Sequence, residues 1–180
     1  ETESRQDQDL GFRPPFGQAA GCLGKAVLRE TQESAVIDSI PVIRASCGDR
    51  AVLRALHFHA ENKRVLDEAA ALRNGDFEKF KQLVIESGNS SYMYNQNVYT
   101  CADPANQPVS LGLALCDYML KGRGAWRVHG GGFAGTIQAF VPNDILGTFL
   151  DEFKKLMQSV FGEDSCYVLF IRPVGGTRIY

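Results

Sequence analysis

The feature that most constrains the fold is a very short connection between two long helix-forming segments. Apolar residues recur at helical spacing from Arg50 to about Arg73 and again after Asp76, and only Asn74-Gly75 separates the segments. Glycine readily adopts the left-handed conformation that ends a helix, and aspartate is a frequent N-cap. Because the connection is so short, the sequence predicts an αα-hairpin with antiparallel helices.

Apolar side chains on both segments are expected to form the inner faces of this hairpin. Asp49 is the expected N-cap of the first helix, because its carboxylate can accept from backbone amides of the first turn. The expected inward residues are Val52, Leu53, Leu56, Ala60, Val65 and Leu66 on the first helix, and Phe77, Phe80, Leu83 and Val84 on the second.

The chain before the hairpin is less regular. Residues 1–18 are polar and contain several Pro and Gly, so we expect a linker or polar leader ahead of one domain at residues 19–180. Residues 18–30 predict a short helix that two glycines weaken. The next apolar stretch is expected to end at Pro41.

The chain after the hairpin begins with a polar stretch. Residues 87–108 predict an ordered loop, and a third helix is expected near Val109–Leu120, closed by Gly122.

The hydrophobic period changes after this third helix. Ala125–Val128 and Thr136–Val141 are expected to be strands, and Cys166–Ile171 is expected to be a buried strand. Between them, apolar residues at helical spacing predict a helix that starts at Pro142-Asn143-Asp144 and stops at Gly162. This order predicts an α+β fold with helices packed on one face of an antiparallel sheet.

Composition excludes several classes of protein. The chain has 180 residues, 44% of them hydrophobic, and a net charge of −2, which is typical of one globular domain. Neither a basic stripe nor an apolar run near the roughly 20 residues of a membrane span is present, so we expect no nucleic-acid and no membrane partner. The five cysteines form no Cys-x-x-Cys pair, which favours reduced thiols in a cytoplasmic protein.

The most informative segment for function is the glycine-rich stretch RVHGGGFAGT at residues 127–136. Consecutive glycines let the backbone approach a ligand closely, and the amides of such a turn can hold an anion. Phosphate or a phosphorylated sugar is therefore one candidate ligand. A tight hairpin turn without a ligand explains the same residues, and the stretch alone does not decide between them.

Three better-known motifs do not fit this stretch. Gly130, Gly132 and Gly135 satisfy G-x-G-x-x-G, but a dinucleotide fingerprint needs a helix directly after it, and residues 136–141 are strand-like. No Gly-Lys-Ser/Thr follows, so a Walker phosphate loop is excluded. The stretch also lacks the G-x-S-x-G of a nucleophile elbow.

Other polar residues are candidates for ligand contacts. His129 borders the glycines and can donate to a phosphate or a sugar hydroxyl, although a strand histidine satisfied by a neighbour is an equal alternative. A polar, aromatic segment after the hairpin suits sugar hydroxyls, but its side chains can equally cap a helix. We expect no metal site, since His57 and His59 lie on different faces of a helix. The second-tier candidates in the polar segment are Ser87, Asn89, Ser90, Tyr94 and Asn95.

The glycine-rich stretch resembles a known motif when its flanks are included. RVHGGGFAGTIQAFV at residues 127–141 resembles the third conserved motif of galactokinases, usually Thr-Gly-Gly-Gly-Phe-Gly-Gly before a strand. LGKAVLRE at 23–30, DRAVLRALHFHAENKRV at 49–65 and AALRNGDFEKFKQLVIESGNSS at 70–91 are similar to the segments before and within the family's helical hairpin. The resemblance runs from about residue 19 to the end of the chain.

This resemblance implies a domain and an activity. It implies the carboxy-terminal domain of a GHMP-superfamily kinase, with a ferredoxin-like arrangement, that packs against its own amino-terminal nucleotide- and sugar-binding domain. The other two family motifs and the catalytic residues would lie upstream, so this chain alone would be inactive. ATP and Mg²⁺ would be held mainly by the missing half, and the γ-phosphate would pass to a sugar hydroxyl. The implied substrate- or phosphate-binding residues are His129, Gly130, Gly131, Gly132, Phe133 and Gly135.

The chain departs from the family pattern around this motif. His129 stands where Thr is usual, Ala134 replaces Gly, Thr136 replaces Cys, Ser87-Gly88 replaces Ser-His, and Trp126 replaces a small residue. The sugar is therefore left open. A non-catalytic sugar or nucleotide sensor on the same fold is the alternative function, and a free-standing interaction domain is a third.

Overall fold

The computed structural model describes residues 15–133 and 135–169, with the side chains of Pro15 and Phe16 left out. The chain divides into two compact units between Val141 and Pro142. The described helices are α1 Pro15–Cys22, α2 Glu33–Asp38, α3 Ile40–Cys47, α4 Asp49–Arg73, α5 Phe77–Ser90, α6 Pro108–Leu120 and α7 Leu146–Phe161, and the described strands are β1 Ala125–Val128 and β2 Ile137–Phe140.

The predicted α+β class is confirmed. The described chain is mostly helical, and its two strands form an antiparallel sheet in which Ala125 pairs with Phe140 and Val128 with Ile137. Helices α5 and α6 both contact β1. The strand bounds agree closely with the prediction, because alternation of bulky residues between turn-forming glycines is a strong local signal.

The expected last strand is not present in its described part. Cys166–Leu169 adopts neither helix nor strand, and Tyr167 and Leu169 are 69% and 71% exposed. A short apolar run predicts a buried strand only if a neighbouring strand pairs with it, and none of the described residues does so here. Phe170 and Ile171 lie outside the described residues.

The predicted αα-hairpin is confirmed. Helices α4 and α5 pack against each other, and the chain reverses at Gly75, whose φ is 68°. The Asp76 carboxylate caps α5 by accepting a hydrogen bond from the Lys79 amide at 2.9 Å. The predicted cap of α4 is wrong: Gly48, with φ 80°, is the N-cap, and Asp49 is the first helical residue.

The predicted inner face of the hairpin is correct only near the start of α4 and in the middle of α5. Val52, Leu83 and Val84 are buried, but Val65 and Leu66 are 58% and 70% exposed. Helices α1 to α3 pack against Ala51, Val52 and Ala55 in the first half of α4 and leave its second half less covered. Phe77, at the start of α5, is likewise 65% exposed.

Two polar residues of α4 are buried although the apolar pattern of the sequence did not predict their burial. Arg54 is 1% exposed and His57 is 9% exposed. Both find hydrogen-bond partners in the segment that begins at Ser90, so their burial does not leave the charged or polar atoms unsatisfied.

The two described apolar clusters lie on different elements. One joins α1, α2, α3 and α4, and the other joins α6, β1 and Val98. The first consists of Ala19, Ala20, Leu28, Val36, Ile43, Ala51, Val52 and Ala55, and the second of Val98, Val109 and Val128.

Three expectations for the connecting segments need correction. Residues 18–30 form the end of α1 and a 3-10 turn at Leu28–Glu30, with Gly24 at φ 67° between them. Pro41 lies in the first turn of α3 instead of ending a segment, because a proline costs no hydrogen bond at that place in a helix. Residues 87–90 belong to α5, and Ser91–Asn95 form a π-helical turn, so the loop starts only at Gln96.

The other two predicted helices are confirmed. Helix α6 ends at Leu120, where Lys121 and Gly122 have φ values of 46° and 78°. Helix α7 begins four residues after Pro142 and ends before Gly162, whose φ is 99°. Phe149, Phe153 and Met157 form its buried stripe.

No helix in the described ranges combines the length and the apolar character that crossing a bilayer requires.

Candidate functional site

The glycine-rich stretch connects the two strands of the sheet. The ladder continues one pair beyond the strands, because the His129 amide donates to the Thr136 carbonyl at 2.9 Å. Residues 130–135 therefore form the connection of a β-hairpin. This connection is longer than the tight two-residue turns that join most hairpins.

The connection has an unusual backbone. Gly130, Gly132 and Gly135 have φ values of 72°, 77° and 85°, and Phe133 has φ 38°. Side chains disfavour this left-handed region, so glycine is required at most of these positions and Phe133 needs support from its neighbours. Ala134 lies outside the described residues.

Asn97 supplies that support. Its backbone carbonyl accepts a hydrogen bond from the Phe133 amide at 2.8 Å, and its side-chain Nδ2 donates to the Gly131 carbonyl at 3.1 Å. A Cβ at Gly132 would lie 2.0 Å from the Asn97 carbonyl oxygen. Only glycine therefore fits at position 132 while these contacts persist.

Two glycine amides of the loop face solvent. Within the described residues, the Gly130 and Gly131 amides donate to no acceptor, and both glycines are exposed. His129 is also exposed, and its imidazole makes no hydrogen bond to any described residue. Exposed backbone amides in a left-handed turn are a common way to bind an anion. This surface can accept a phosphate or a similar oxyanion.

The second-tier residues fall into two groups. Ser87 and Ser90 are buried on α5 and point toward α4: the Ser87 hydroxyl donates to Glu61 at 2.6 Å, and Ser90 Oγ lies 2.9 Å from His57 Nδ1. Asn89 is exposed on the same helix. Ser87 and Ser90 thus take part in a polar contact between helices.

The other second-tier residues lie in the π-helical turn. Asn95 is buried, and its backbone carbonyl accepts from Arg54 Nε at 3.0 Å. Tyr94 is 37% exposed and Tyr92 is 40% exposed. The Tyr92 ring packs at a tilt against Tyr99, with centroids 5.6 Å apart. Exposed aromatic rings of this kind can stack on a sugar face.

The buried histidine between α4 and α5 has a strongly altered acidity. Burial is the main cause, and the nearby guanidinium groups of Arg64, Arg127 and Arg54 contribute; together they lower the pKa of His57 from 6.5 to about 4. Arg64 forms ion pairs with Glu61 and, at 3.9 Å, with Glu86. His57 is therefore neutral near pH 7 and acts as a hydrogen-bonding partner of Ser90.

Metal binding receives no support from the side-chain arrangement. In residues 15–133 and 135–169, no group of three or more His, Cys, Asp or Glu side chains is placed to hold a metal ion.

Asn97 is the residue of this site that the sequence did not reveal. Its contacts reach across 34 residues of sequence to Gly131, and no local pattern distinguishes it from the other asparagines of a polar loop. The glycines, by contrast, were recognisable from their spacing alone.

Comparison with known proteins gives one consistent group of relatives. The chain is 32% identical over 118 residues to human galactokinase, a match that covers 66% of this chain and 27% of the relative. It is 31% identical over 131 residues to galactokinase from Mycobacterium tuberculosis strain H37Rv, covering 71% of this chain and 31% of the relative. Galactokinase from Actinobacillus pleuropneumoniae is 29% identical over 126 residues, with 70% and 31% covered.

These similarities support a galactokinase-like relationship. The chain spans less than a third of the length of these curated relatives. No protein-family model matches the chain.

Proposed function

We propose that this chain is the carboxy-terminal part of an ATP-dependent sugar kinase that resembles galactokinase. The single observation that carries the proposal is the hairpin loop in which the exposed Gly130 and Gly131 amides donate to no acceptor among the described residues, in a chain similar to galactokinases. A kinase transfers a phosphoryl group mainly by positioning and by stabilising charge. A rigid backbone cradle for oxyanions is the kind of contribution such chemistry needs.

The proposed domain covers residues 19–180, as a GHMP-type carboxy-terminal domain, and residues 1–18 form a leader or linker. Its binding residues would be Gly130, Gly131 and Gly132, with His129, Phe133 and Gly135 around them. Asn89 and Tyr94 remain second-tier candidates because both are exposed, whereas Ser87, Ser90 and Asn95 are buried. ATP, the sugar and the chain's own amino-terminal domain are the proposed partners, and the cytoplasm is the proposed location.

In the proposed reaction, the glycine amides bind oxygens where the γ-phosphate meets the sugar hydroxyl. A hydrogen bond from the Gly130 or Gly131 amide would offset negative charge as it shifts between oxygens in the transition state. The His129 imidazole is exposed beside them and can donate to the same phosphate or to a sugar hydroxyl. Mg²⁺ would supply further charge neutralisation when bound, and the donor set of the described residues fits the phosphate better than the metal.

Two experiments test the proposal. In the first, inorganic phosphate is titrated into the ¹⁵N-labelled 180-residue chain, and the amide shifts of Gly130 and Gly131 are compared with those of Gly147 in α7. Saturable shifts at the loop alone support an anion site, and equal shifts at Gly147 argue against one.

The second experiment measures ADP release by the complete protein with ATP, Mg²⁺ and a panel of sugars that includes galactose. The isolated chain is the control and should show no turnover. Turnover with one sugar would support the kinase and identify its substrate. Silence across the panel, together with sugar or ATP binding by calorimetry, would overturn the kinase in favour of a sensor.

A further inference from the structure

We propose that Asn97 is a positioning residue that holds the glycine loop in its ligand-binding conformation. The proposal rests on the sugar-kinase function proposed above and adds a residue to the same site. Asn97 itself is 3% exposed, so it acts on the loop and not on the ligand directly.

The contact between Asn97 and the loop has two points. The Asn97 carbonyl accepts from the Phe133 amide at 2.8 Å, and Asn97 Nδ2 donates to the Gly131 carbonyl at 3.1 Å. These bonds orient the peptides on either side of Gly132. Because each peptide has its carbonyl opposite its amide, fixing the Gly131 carbonyl also fixes the direction of the Gly132 amide.

The segment that carries Asn97 is itself held from α4. Arg54 Nε donates to the Asn95 carbonyl at 3.0 Å, and Arg50 Nη2 lies 3.4 Å from the Gln96 carbonyl. Gln96, which directly precedes Asn97, has φ 55°, a left-handed conformation that is costly for a residue with a side chain. Two guanidinium groups therefore stabilise a strained segment, residues 95–97, on which the loop rests.

The side chain at position 97 can be changed without removing the backbone bond to Phe133. Asn97→Ala removes only the Nδ2 donor, and Asn97→Asp replaces that donor with a negatively charged acceptor facing the Gly131 carbonyl. Asn97→Gln keeps an amide on a longer side chain. Asn89→Ala, at an exposed asparagine of α5, is the matched control.

The first test is hydrogen exchange of the 180-residue chain followed by NMR. We expect Asn97→Ala to speed exchange of the Phe133 amide by about tenfold or more, because the loop opens more often. Amides in α4 should keep their wild-type rates, and Asn97→Gln should restore part of the protection. Unchanged exchange at Phe133 in Asn97→Ala would overturn the proposal.

A second pair of variants keeps the proposal testable if Asn97→Ala does not fold. Gly132→Ala would place a Cβ against the Asn97 carbonyl, whereas Gly130→Ala has open space and a similar φ of 72°. In both variants an alanine must adopt a left-handed φ, which costs free energy. The difference between the two variants in exchange of the Phe133 amide therefore reports the contact with Asn97. Gly132→Ala should lose the Phe133 protection and Gly130→Ala should keep it; equal loss in both would overturn the proposal.

The second test is kinetic and uses the complete protein. A misplaced loop should lower kcat of Asn97→Ala by about 10- to 100-fold, with the sugar KM within about threefold of wild type. Asn97→Asp should lose at least as much, since its charge repels the phosphate. If wild type is active and Asn97→Ala has wild-type kcat, the positioning role is wrong. If wild type has no activity, the kinase function fails, and the exchange result still decides whether Asn97 holds the loop.

A different observation carries a second inference: we infer that Cys22 and Cys47 form a redox-sensitive dithiol. Their Sγ atoms lie 3.5 Å apart, at the carboxyl ends of α1 and α3, and both residues are half-buried. They are 25 residues apart in sequence, so the pair was invisible to an inspection of cysteine spacing.

Oxidation would join the two helices. The two S–H bonds break and one S–S bond forms, while a disulfide oxidant such as oxidised glutathione takes up the two electrons and two protons and becomes two thiols. Burial raises the pKa of the Cys47 thiol, and the adjacent Cys22 raises it further. Since the thiolate is the attacking species, oxidation should accelerate as the pH rises.

The test is incubation of the 180-residue chain with oxidised glutathione, followed by alkylation, digestion and mass spectrometry. We expect one linked peptide pair, Cys22 with Cys47, a higher Tm, and reversal by a dithiol reductant. Cys101→Ser, at an exposed cysteine, is the control and should still form the pair. Cys22→Ser should abolish it. Glutathione attached separately to both cysteines, or a pair made with another cysteine, would overturn the inference.

Discussion

The acidity of His57 predicts a specific dependence of stability on pH. The folded chain lowers the pKa of His57 from 6.5 to about 4, first by burial and then through the positive charges of Arg64, Arg127 and Arg54. The unfolded chain therefore binds a proton more tightly than the folded chain. Stability from this side chain is fully present above pH 6.5, decreases as the pH falls toward 4, and changes little below that.

The size of the change in unfolding free energy follows from the same shift in the pKa of His57. One pKa unit corresponds to about 1.4 kcal/mol, so a pKa lowered from 6.5 to about 4 sets an upper limit of about 3.4 kcal/mol. Glu61 and Glu86 pair with Arg64 and offset part of its charge, and solvent screens the rest. We therefore expect a loss of about 1–2 kcal/mol in the free energy of unfolding across this window.

The assay compares urea unfolding of wild type and His57→Asn at several pH values between 7 and 4, with circular dichroism and the fluorescence of the single tryptophan, Trp126, as signals. Asparagine keeps a hydrogen-bonding group near Ser90 but has no proton to gain. The variant should be less stable near pH 7 and should lose about 1–2 kcal/mol less than wild type on acidification. Asn89→Ala, at an exposed residue of α5 that does not titrate, is the control and should retain the wild-type slope. If the free energy of unfolding falls equally with pH in wild type and in His57→Asn, the reasoning is refuted.

Three further substitutions test the local structure. Asp76→Ala removes the cap of α5 and should cost about 1 kcal/mol of unfolding free energy in urea, and no loss would contradict the capping role. Gly88→Ala would place its Cβ 3.1 Å from the Trp126 carbonyl oxygen and 3.2 Å from Arg127 Cβ. It should lower stability by about 1–3 kcal/mol in the same assay, and a neutral result would mean that β1 can move away. Gly147→Ala, which meets nothing within 4 Å in α7, is the opposite case. It should stabilise the helix by about 0.5–1 kcal/mol, detected as a higher Tm, and a lower Tm would contradict that geometry.

Features of the fold that depend on neighbouring residues in sequence were predictable. The Gly75 reversal, the Asp76 cap, β1 and the end of α6 all follow from local backbone preferences, and the structure agrees with them. The glycine loop was predictable for the same reason, because consecutive glycines tolerate the positive φ values that a connection between two strand-like segments often needs.

Features that depend on which elements meet were not predictable. Val65, Leu66 and Phe77 have the spacing of an inner helix face, yet the helices that cover the start of α4 do not reach them. Periodicity reports which residues share a face and not how much of that face another element covers. Burial of Arg54 was hidden for the same reason, since its main-chain acceptor lies 41 residues away.

The residues singled out for function also differ in whether local sequence could reveal them. The loop that would touch a ligand was identified by its own residues, whereas Asn97 and the Cys22–Cys47 pair depend on contacts across 34 and 25 residues. A single sequence carries no signal for such contacts.

One departure from the galactokinase pattern has a packing explanation in this structure. Gly88 stands where the family has histidine, and an added Cβ there would lie 3.1–3.3 Å from the Trp126 carbonyl and from Arg127. Helix α5 and strand β1 thus approach each other closely at position 88, and a side chain there would require β1 to shift by a few tenths of an ångström. His129, by contrast, is exposed beside Gly130 and Gly131, so packing does not explain the departure at that position.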